Sequence, residues 1–407
     1  MAILEGIQVK NFRALREVTL GRTIYDSGSR ALPRLVAVIG ANGTGKSSLL
    51  DALSFLGDCL KEGVEAASDK PHRGGFESLR TKGITEPIQF EVRYREESNA
   101  RPINYTLHID CDPAGRPMVV RERLRQRRIG QRSGQPHSFV DISNGNGVAW
   151  AGESTVAGEG NKQIDVKMKD RQVLAISTYG TLADHPRISK FRDFLGNWYL
   201  SYFVPHLARE PSMAGAEPHL DREGRNLAKY LQFIQRNRPK EFSAMLTRVA
   251  QKIPGIKDIK ADESKNKQLF LEFYCEGYEE PFFQQDMSDG TLKMLAYMLL
   301  MEDPEPARLV GIEEPENGLH HQLLIHLAQE LKSFALRDKG PQVLVTTHSP
   351  YFVDALTPDE VWILDKARDG YSTLSLAADL PAIRDLFDEG IPMGSLWYSN
   401  HFGVGNP

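Results

Sequence analysis

The chain has 407 residues, 41% of them hydrophobic, and a formal net charge of −4. That is enough apolar material for a sizeable core, and length alone sets a prior of about two or three domains. The near-balanced charge excludes a protein that is basic all over, so any nucleic-acid contact has to come from a local patch.

The start, Met-Ala-Ile-Leu-Glu-Gly, has no basic then apolar leader pattern. Residues 3–9 read as a strand, with Val18-Thr-Leu20 as its partner. Leu35-Val-Ala-Val-Ile39 is a continuous apolar run, the pattern of a strand buried on both faces. From Ser47 to Leu60, leucines at 49, 53, 56 and 60 fall on one helical face. Residues 61–82 are polar and Gly-rich and read as a loop. From 84 to about 175 the pattern alternates, as in Ile88-Gln-Phe-Glu-Val-Arg-Tyr94 and Tyr105-Thr-Leu-His-Ile109. Turn residues separate these runs, with exposed turns expected at 145–147 and 158–160, so this is a β-rich segment of hairpins.

Helical spacing takes over between about 186 and 252, over Asn226–Ile234 and Pro239–Ile253, and Pro254-Gly255 stops it. Leu269–Tyr274 returns to strand, and Gly290–Met301 is a helix. The apolar strands Leu309–Ile312, Val343–Thr347 and Val361–Leu364 follow, with helix His320–Leu336 between the first two. Strand–helix–strand alternation predicts a mostly parallel sheet. The segments are 1–60, 61–180 (β-rich lobe), 181–260 (helical lobe), 261–370 and 371–407 (tail). Leu292–Met301 contains Lys293 and falls short of the ~18 apolar residues of a membrane helix. The cysteines, Cys59, Cys111 and Cys275, have no metal or redox spacing. A cytoplasmic protein with buried free thiols and no membrane contact is expected.

The chemistry lies in four short stretches. Gly40-Ala-Asn-Gly-Thr-Gly-Lys46-Ser47 follows a strand and opens a helix. Glycines let the backbone N–H groups curl around phosphate oxygens, Lys46 reaches the β/γ-phosphates, and the Ser47 hydroxyl ligates Mg²⁺. Gly40, Asn42, Gly43, Thr44, Gly45 and Ser48 complete the contacts with ATP. Arg308-Leu-Val-Gly-Ile-Glu313-Glu314 is an apolar strand ending in two acids, one placed for Mg²⁺ and one for the attacking water. Val343-Leu-Val-Thr-Thr-His348 ends another buried strand in a histidine. Ser288, ahead of Gly290, is suited to cap a helix or touch an anion.

Together these motifs resemble the ABC-type ATPase heads of the RecF/SMC group, and among them the smaller ATPases related to the OLD family. Asn11-Phe12-Arg13 is similar to the group's N-terminal signature, Ser-Asp-Gly-Thr at 288–291 to its degenerate ABC signature, and Glu-Glu-Pro-Glu-Asn-Gly-Leu-His at 313–320 to Walker B with its D-loop. Thr-Thr-His-Ser-Pro at 346–350 resembles the switch-histidine motif. The resemblance implies a P-loop ABC-ATPase head: an α/β fold with a mostly parallel core sheet, an antiparallel β-rich lobe and a helical lobe. It implies a homodimer or higher homo-oligomer with ATP sandwiched between one P-loop and the partner's signature. Ser288 and Gly290 would then touch the other subunit's nucleotide, Glu314 would activate water, His348 would help position it, Arg13 would contact nucleotide, and Glu313 with Ser47 would hold Mg²⁺.

Three departures stand out. Glu313 replaces the usual aspartate, Asp289 replaces a signature glycine, and no glutamine marks a Q-loop, Gln89 lying in an alternating strand. Arg121, Arg123 and Arg125 share a strand face, with Arg127, Arg128 and Arg132 following; they are either a DNA-binding patch or a solvated hairpin face. His320, His321 and His326 do not have zinc-ligand spacing. The stretch after Lys366 is too short for the nuclease domain of OLD-type relatives, and its aromatic end, Leu396–Phe402, either docks a partner or folds onto the body. The resemblance implies an ATP-driven switch acting with DNA and a separate, nuclease-like effector in antiviral or anti-plasmid defence. The alternatives are a RecF-like repair ATPase acting directly on DNA, and an ATP-dependent scaffold with little hydrolysis.

Overall fold

The computed structural model describes residues 2–24, 29–128, 130–131, 134–151, 162–210, 212–213, 215, 217–265, 268–303 and 305–404. Arg132 and the turn at 158–160 lie outside them.

Apolar alternation sets the layering. In strand Leu35–Ile39 every residue is buried. Val36 and Val38 face one core, while Leu35, Ala37 and Ile39 face another. The sheet built on this strand is thus covered on both faces, as a continuous apolar run requires. Its six strands run in the order Trp198–Ser201, Leu309–Glu313, Gln342–Thr347, Leu35–Ile39, Val361–Lys366 and Ser372–Leu376. The first five are parallel and the last is antiparallel. Two of them come from unexpected segments: Trp198–Ser201 from the region read as helical, and Ser372–Leu376 from the tail. Gly311 lets the first come close, since a Cβ there would stand 2.2 Å from Leu200 Cδ2.

One face of the sheet carries helix Lys46–Glu62, which buries Leu49, Leu53, Leu56 and Leu60. Over it lies an eight-stranded antiparallel sheet, ordered Leu15–Gly21, Ile3–Phe12, Ile88–Arg95, Ile103–Cys111, Pro117–Gln126, His137–Ser143, Asn146–Ala151, Lys162–Lys167. Phe12, Phe55 and Phe90 join helix to sheet, with ring centroids 5.6–6.2 Å apart. The hairpin turn falls on Asn144 and Gly145, both at positive φ, the signature of a type I′ turn. Gln342 links the two sheets: its side chain bonds Leu4 N–H at 2.9 Å and Leu4 C=O at 3.0 Å. The stretch 61–82 holds short helices, Val64–Ser68 and Phe76–Leu79. Buried Arg73 pins it, 2.9 Å from Asp51 and 2.8 Å from Asp58.

The other face carries helices Leu227–Asn237, Pro239–Gln251, Asp289–Met301 and His321–Leu336 around the second core. Helix Asp289–Met301 is buried from Leu292 onward, which accounts for its apolar run. Among the described residues no helix is long and apolar enough to cross a membrane. Most of the tail folds onto this core, through Met393, Leu396, Trp397 and Phe402. Gly394 lies so near Pro350 that a Cβ would be 2.1 Å from its carbonyl oxygen. Asp354 Oδ1 accepts the Gly394 N–H at 2.9 Å. Cys59 is buried, but Cys111 and Cys275 are half-exposed, so the expectation that every thiol is buried is corrected.

Candidate nucleotide site

Three neighbouring strands of the central sheet end side by side. Register sets Glu313 beside Thr346, and Thr347 beside Ile39. Gly40, Glu314 and His348 therefore leave the sheet at one level. The carboxyl ends of parallel strands are where open α/β sheets bind ligands.

The loop after Ile39 is shaped by lack of room. A Cβ on Gly40 would meet Leu364 O at 2.1 Å, and one on Gly45 would meet Ser372 Oγ at 2.7 Å. Thr44 Oγ1 donates to Ala41 O at 2.9 Å, and Ser372 Oγ donates to Thr44 O at 2.6 Å. Asn42 and Gly43 are exposed at the crest, Ser47 is exposed and Ser48 half-buried. Gly45 offers the following helix no side-chain cap, so its first N–H groups are open to an anion. Lys46 is buried, and its Nζ donates to Gly40 O at 2.8 Å and Ala41 O at 3.3 Å.

Ser47 bonds the Glu313 carboxyl. Burial pushes that carboxyl above its ordinary range; the Ser47 hydroxyl pulls it down, and Glu314 and Asp51 push it up. A hydroxyl beside a partly buried carboxylate is an oxygen donor set that Mg²⁺ accepts, so these residues fit such an ion.

Glu314 leaves the strand at φ +40°, a strained conformation for a non-glycine residue. Its Oε1 lies 3.6 Å from Lys46 Nζ and 3.7 Å from His348 Nδ1. Asn317 Nδ2 donates to its Oε2 at 3.3 Å. The histidine is held by a residue that sequence reasoning missed, Glu316. Its buried Oε1 accepts the His348 N–H at 2.5 Å and the Thr347 hydroxyl at 2.9 Å. His348 Nδ1 stands 3.1 Å from the same oxygen, at an angle that makes no hydrogen bond. The one sequence signal for Glu316 was its place as the third acid of Glu-Glu-Pro-Glu.

A cleft of about 740 Å³ opens beside Ser47 and Glu313, lined also by Arg13, Asp51, His72, Tyr202 and Arg222. Arg13, at φ +49°, lies 3.0 Å from Asp51 and donates to His72 O at 3.1 Å. Arg222, also missed, donates to Ser54 Oγ at 2.7 Å and Leu200 O at 3.0 Å. It comes in behind the unforeseen edge strand. Gln89 is paired with Lys10 and His108 in the antiparallel sheet and does not line this cleft.

Ser288 and Gly290 do not line it either. Ser288 is exposed and caps its own helix, accepting the Thr291 N–H at 3.1 Å. Gly290 lies against the turn after Glu314, where a Cβ would stand 2.9 Å from Gly318 O.

Arg121, Arg123 and Arg125 do not make one open face, so the shared strand face read from their spacing is corrected. Arg121 and Arg123 both reach Asp141, at 2.9 and 2.6 Å. Arg125 is buried, 3.4 Å from Glu91. His320 caps its helix, and His321 stacks on Tyr351 with centroids 4.9 Å apart. Among the described residues no group of three or more His, Cys, Asp or Glu is arranged to hold a metal.

Residues 35–354 match the family described as "AAA domain, putative AbiEii toxin, Type IV TA system". The crystal structure of the SmcHead bound to the C-winged helix domain of ScpA is similar over 91% of this chain and 97% of that one, at 14% identity and a TM-score of 0.52. The Smc head domain with an extended coiled coil bound to the C-terminal domain of ScpA, derived from Pyrococcus furiosus, is similar over 96% of this chain and 100% of that one, also at 14% identity and a TM-score of 0.52. At such identity the likeness is one of fold. No curated protein matches the chain.

Proposed function

Because the chain belongs to the AAA domain family described for the putative AbiEii toxin of type IV toxin–antitoxin systems, and has the fold of an ABC-type ATPase head of the RecF/SMC group, we propose that it binds and hydrolyses ATP between two copies of itself and switches a separate effector. The observation that carries this reading is the meeting of Lys46, Ser47, Glu313, Glu314 and His348 at the ends of three adjacent strands, with Ser288 exposed at the start of its own helix.

In this reading the triphosphate competes for Lys46 with the Gly40 and Ala41 carbonyls, while the loop N–H groups take phosphate oxygens. Mg²⁺, when bound by Ser47 and Glu313, supplies charge neutralisation at the β- and γ-phosphates. Glu314 takes the proton of the attacking water, and His348, steadied by Glu316, orients it. Ser288 and Gly290 are offered to the nucleotide of the second copy, so each centre is completed by its neighbour. Arg13 acts from the far side of the cleft.

The proposed effector is a separate protein of nuclease-like chemistry, and the switch acts together with DNA. The family description, a putative toxin of a toxin–antitoxin system, supports a setting in defence against viruses or plasmids. The Smc heads seen with ScpA domains support a head that engages a second protein. Sedimentation with and without ATP tests the reading. A shift from monomer to dimer that Lys46→Ala abolishes is expected, and a parent that stays monomeric at saturating ATP overturns it.

One observation favours a scaffold that hydrolyses little. Glu313 stands where such sites carry the shorter aspartate, and burial holds its carboxyl above the ordinary range. Sustained multiple turnover, with DNA or with a partner protein, excludes that alternative.

A further inference from the structure

The turn proposed to meet the partner's nucleotide carries a carboxylate. Asp289 is exposed and sits between Ser288 and Gly290. An uncompensated acid there would repel a triphosphate approaching Ser288, an interaction that strengthens as water leaves the closing interface.

A cation from a distant part of the chain meets it. Arg209 Nη2 donates to Asp289 Oδ1 at 2.5 Å and to Met287 O at 2.8 Å, so one guanidinium straddles Ser288. The arginine is itself fixed. Buried Gln284 donates to the carbonyls of Ala208, Arg209 and Glu210 at 3.1–3.3 Å, while its own oxygen accepts the Leu271 N–H at 3.1 Å. Arg209 follows the short helix Pro205–Ala208, which in turn follows edge strand Trp198–Ser201 and cleft-lining Tyr202. The neighbouring cation, Lys293, does not substitute for it. Lys293 is buried on the signature helix and shared electrostatically among Glu316, Asp289 and Glu314.

We infer that Arg209 is a positioning residue that neutralises Asp289, so that the Ser288 turn can close on a nucleotide bound to a second copy of this chain. The inference rests on the composite-site reading above and names the residue that makes this signature usable despite its acid. Arg209 touches no nucleotide in this scheme; it sets the charge and posture of the turn that does.

The experiment uses the full-length protein and reads the ATP concentration giving half-maximal dimer by sedimentation, alongside fluorescent-ATP binding at protein concentrations too low to dimerise. Arg209→Ala is expected to raise the dimerising ATP concentration at least about tenfold, with monomer affinity for nucleotide unchanged. Asp289→Gly removes the acid, so the double variant Arg209→Ala/Asp289→Gly should return to within about threefold of the parent. A purely mechanical prop on Met287 O would leave the double variant as impaired as the single one, and that result overturns the inference, as does an Arg209→Ala protein that dimerises like the parent. Thermal melting identifies a misfolded variant, in which case Arg209→Lys, which keeps the charge, must retain more dimerisation than Arg209→Gln. A parent that fails to dimerise with ATP sinks the composite-site reading itself, and is seen before any variant is compared.

Discussion

Glu316 accepts the backbone N–H of His348 at 2.5 Å, across 32 positions of chain. The same oxygen takes the Thr347 hydroxyl, while Glu316 Oε2 is buried without a hydrogen-bond partner. The acid thus fixes where strand Gln342–Thr347 ends, and with it the distance from His348 to Glu314. Glu316→Ala should lower the hydrolysis rate by about 10–100-fold, the usual effect of removing a residue that orients another. ATP affinity should hold, since Glu316 touches neither Lys46 nor Ser47. Glu316→Gln keeps an acceptor and should recover much of the rate. Steady-state phosphate release, split into kcat and KM, checks this.

Lys46 and Glu314 should separate binding from chemistry. Lys46→Ala is expected to abolish nucleotide binding by fluorescent-ATP titration. Glu314→Gln should still bind ATP, hydrolyse it at least about 100-fold more slowly, and elute as a long-lived dimer. A Glu314→Gln protein turning over at the parental rate would remove Glu314 from the proposed mechanism.

Glu122 offers a test by pH. It is wholly buried, accepting from Tyr105 Oη at 3.0 Å, Ala175 N at 2.5 Å and Ile176 N at 2.9 Å. Burial pushes its carboxyl up to about 7, against the pull of those three donors. The folded state therefore holds this proton more tightly than the unfolded chain. The contribution to stability is complete below the unfolded value, near 4.5, and is lost as pH rises through 7. Between pH 5 and 8 the parent should lose about 2–3 kcal/mol from this group. Urea unfolding of Glu122→Gln should show a correspondingly flatter pH dependence.

The tail can be tested by truncating side chains. Trp397 is 1% exposed and Tyr398, its neighbour, 66%. Trp397→Ala should destabilise the protein by about 3–5 kcal/mol, and Tyr398→Ala by under ~0.5 kcal/mol. Denaturant midpoints measured side by side decide it.

What could be read in advance follows the range of the interactions. The phosphate loop is specified by its own glycines and the strand and helix that flank it, so residues 35–60 spell it out. The acid pair and His348 were visible because each stands at the end of a buried, mostly apolar strand. Glu316 was not, because its role depends on the register that brings two strand ends together. Trp198–Ser201 was hidden because four residues give too little period to mark a strand, and it is the Gly311 gap that seats it. The arginines at 121, 123 and 125 looked like one face. A register shift within their strand and the acids at 91 and 141 decide that Arg125 goes inside. Asp289 looked like a departure from a pattern, and its partner Arg209 lies 80 positions away.

The phosphate-loop strand Leu35–Ile39 has both its sheet neighbours, Gln342–Thr347 and Val361–Lys366, near the other end of the chain. During synthesis this apolar strand emerges long before either neighbour and must wait, unpaired on both edges, until they have been made. Long-range parallel pairing of this kind closes slowly and leaves sticky edges exposed meanwhile. Nucleotide binding is therefore acquired only once those two strands have been made, and a ribosome-stalled fragment lacking residues after 340 should neither bind ATP nor stay dispersed without a chaperone.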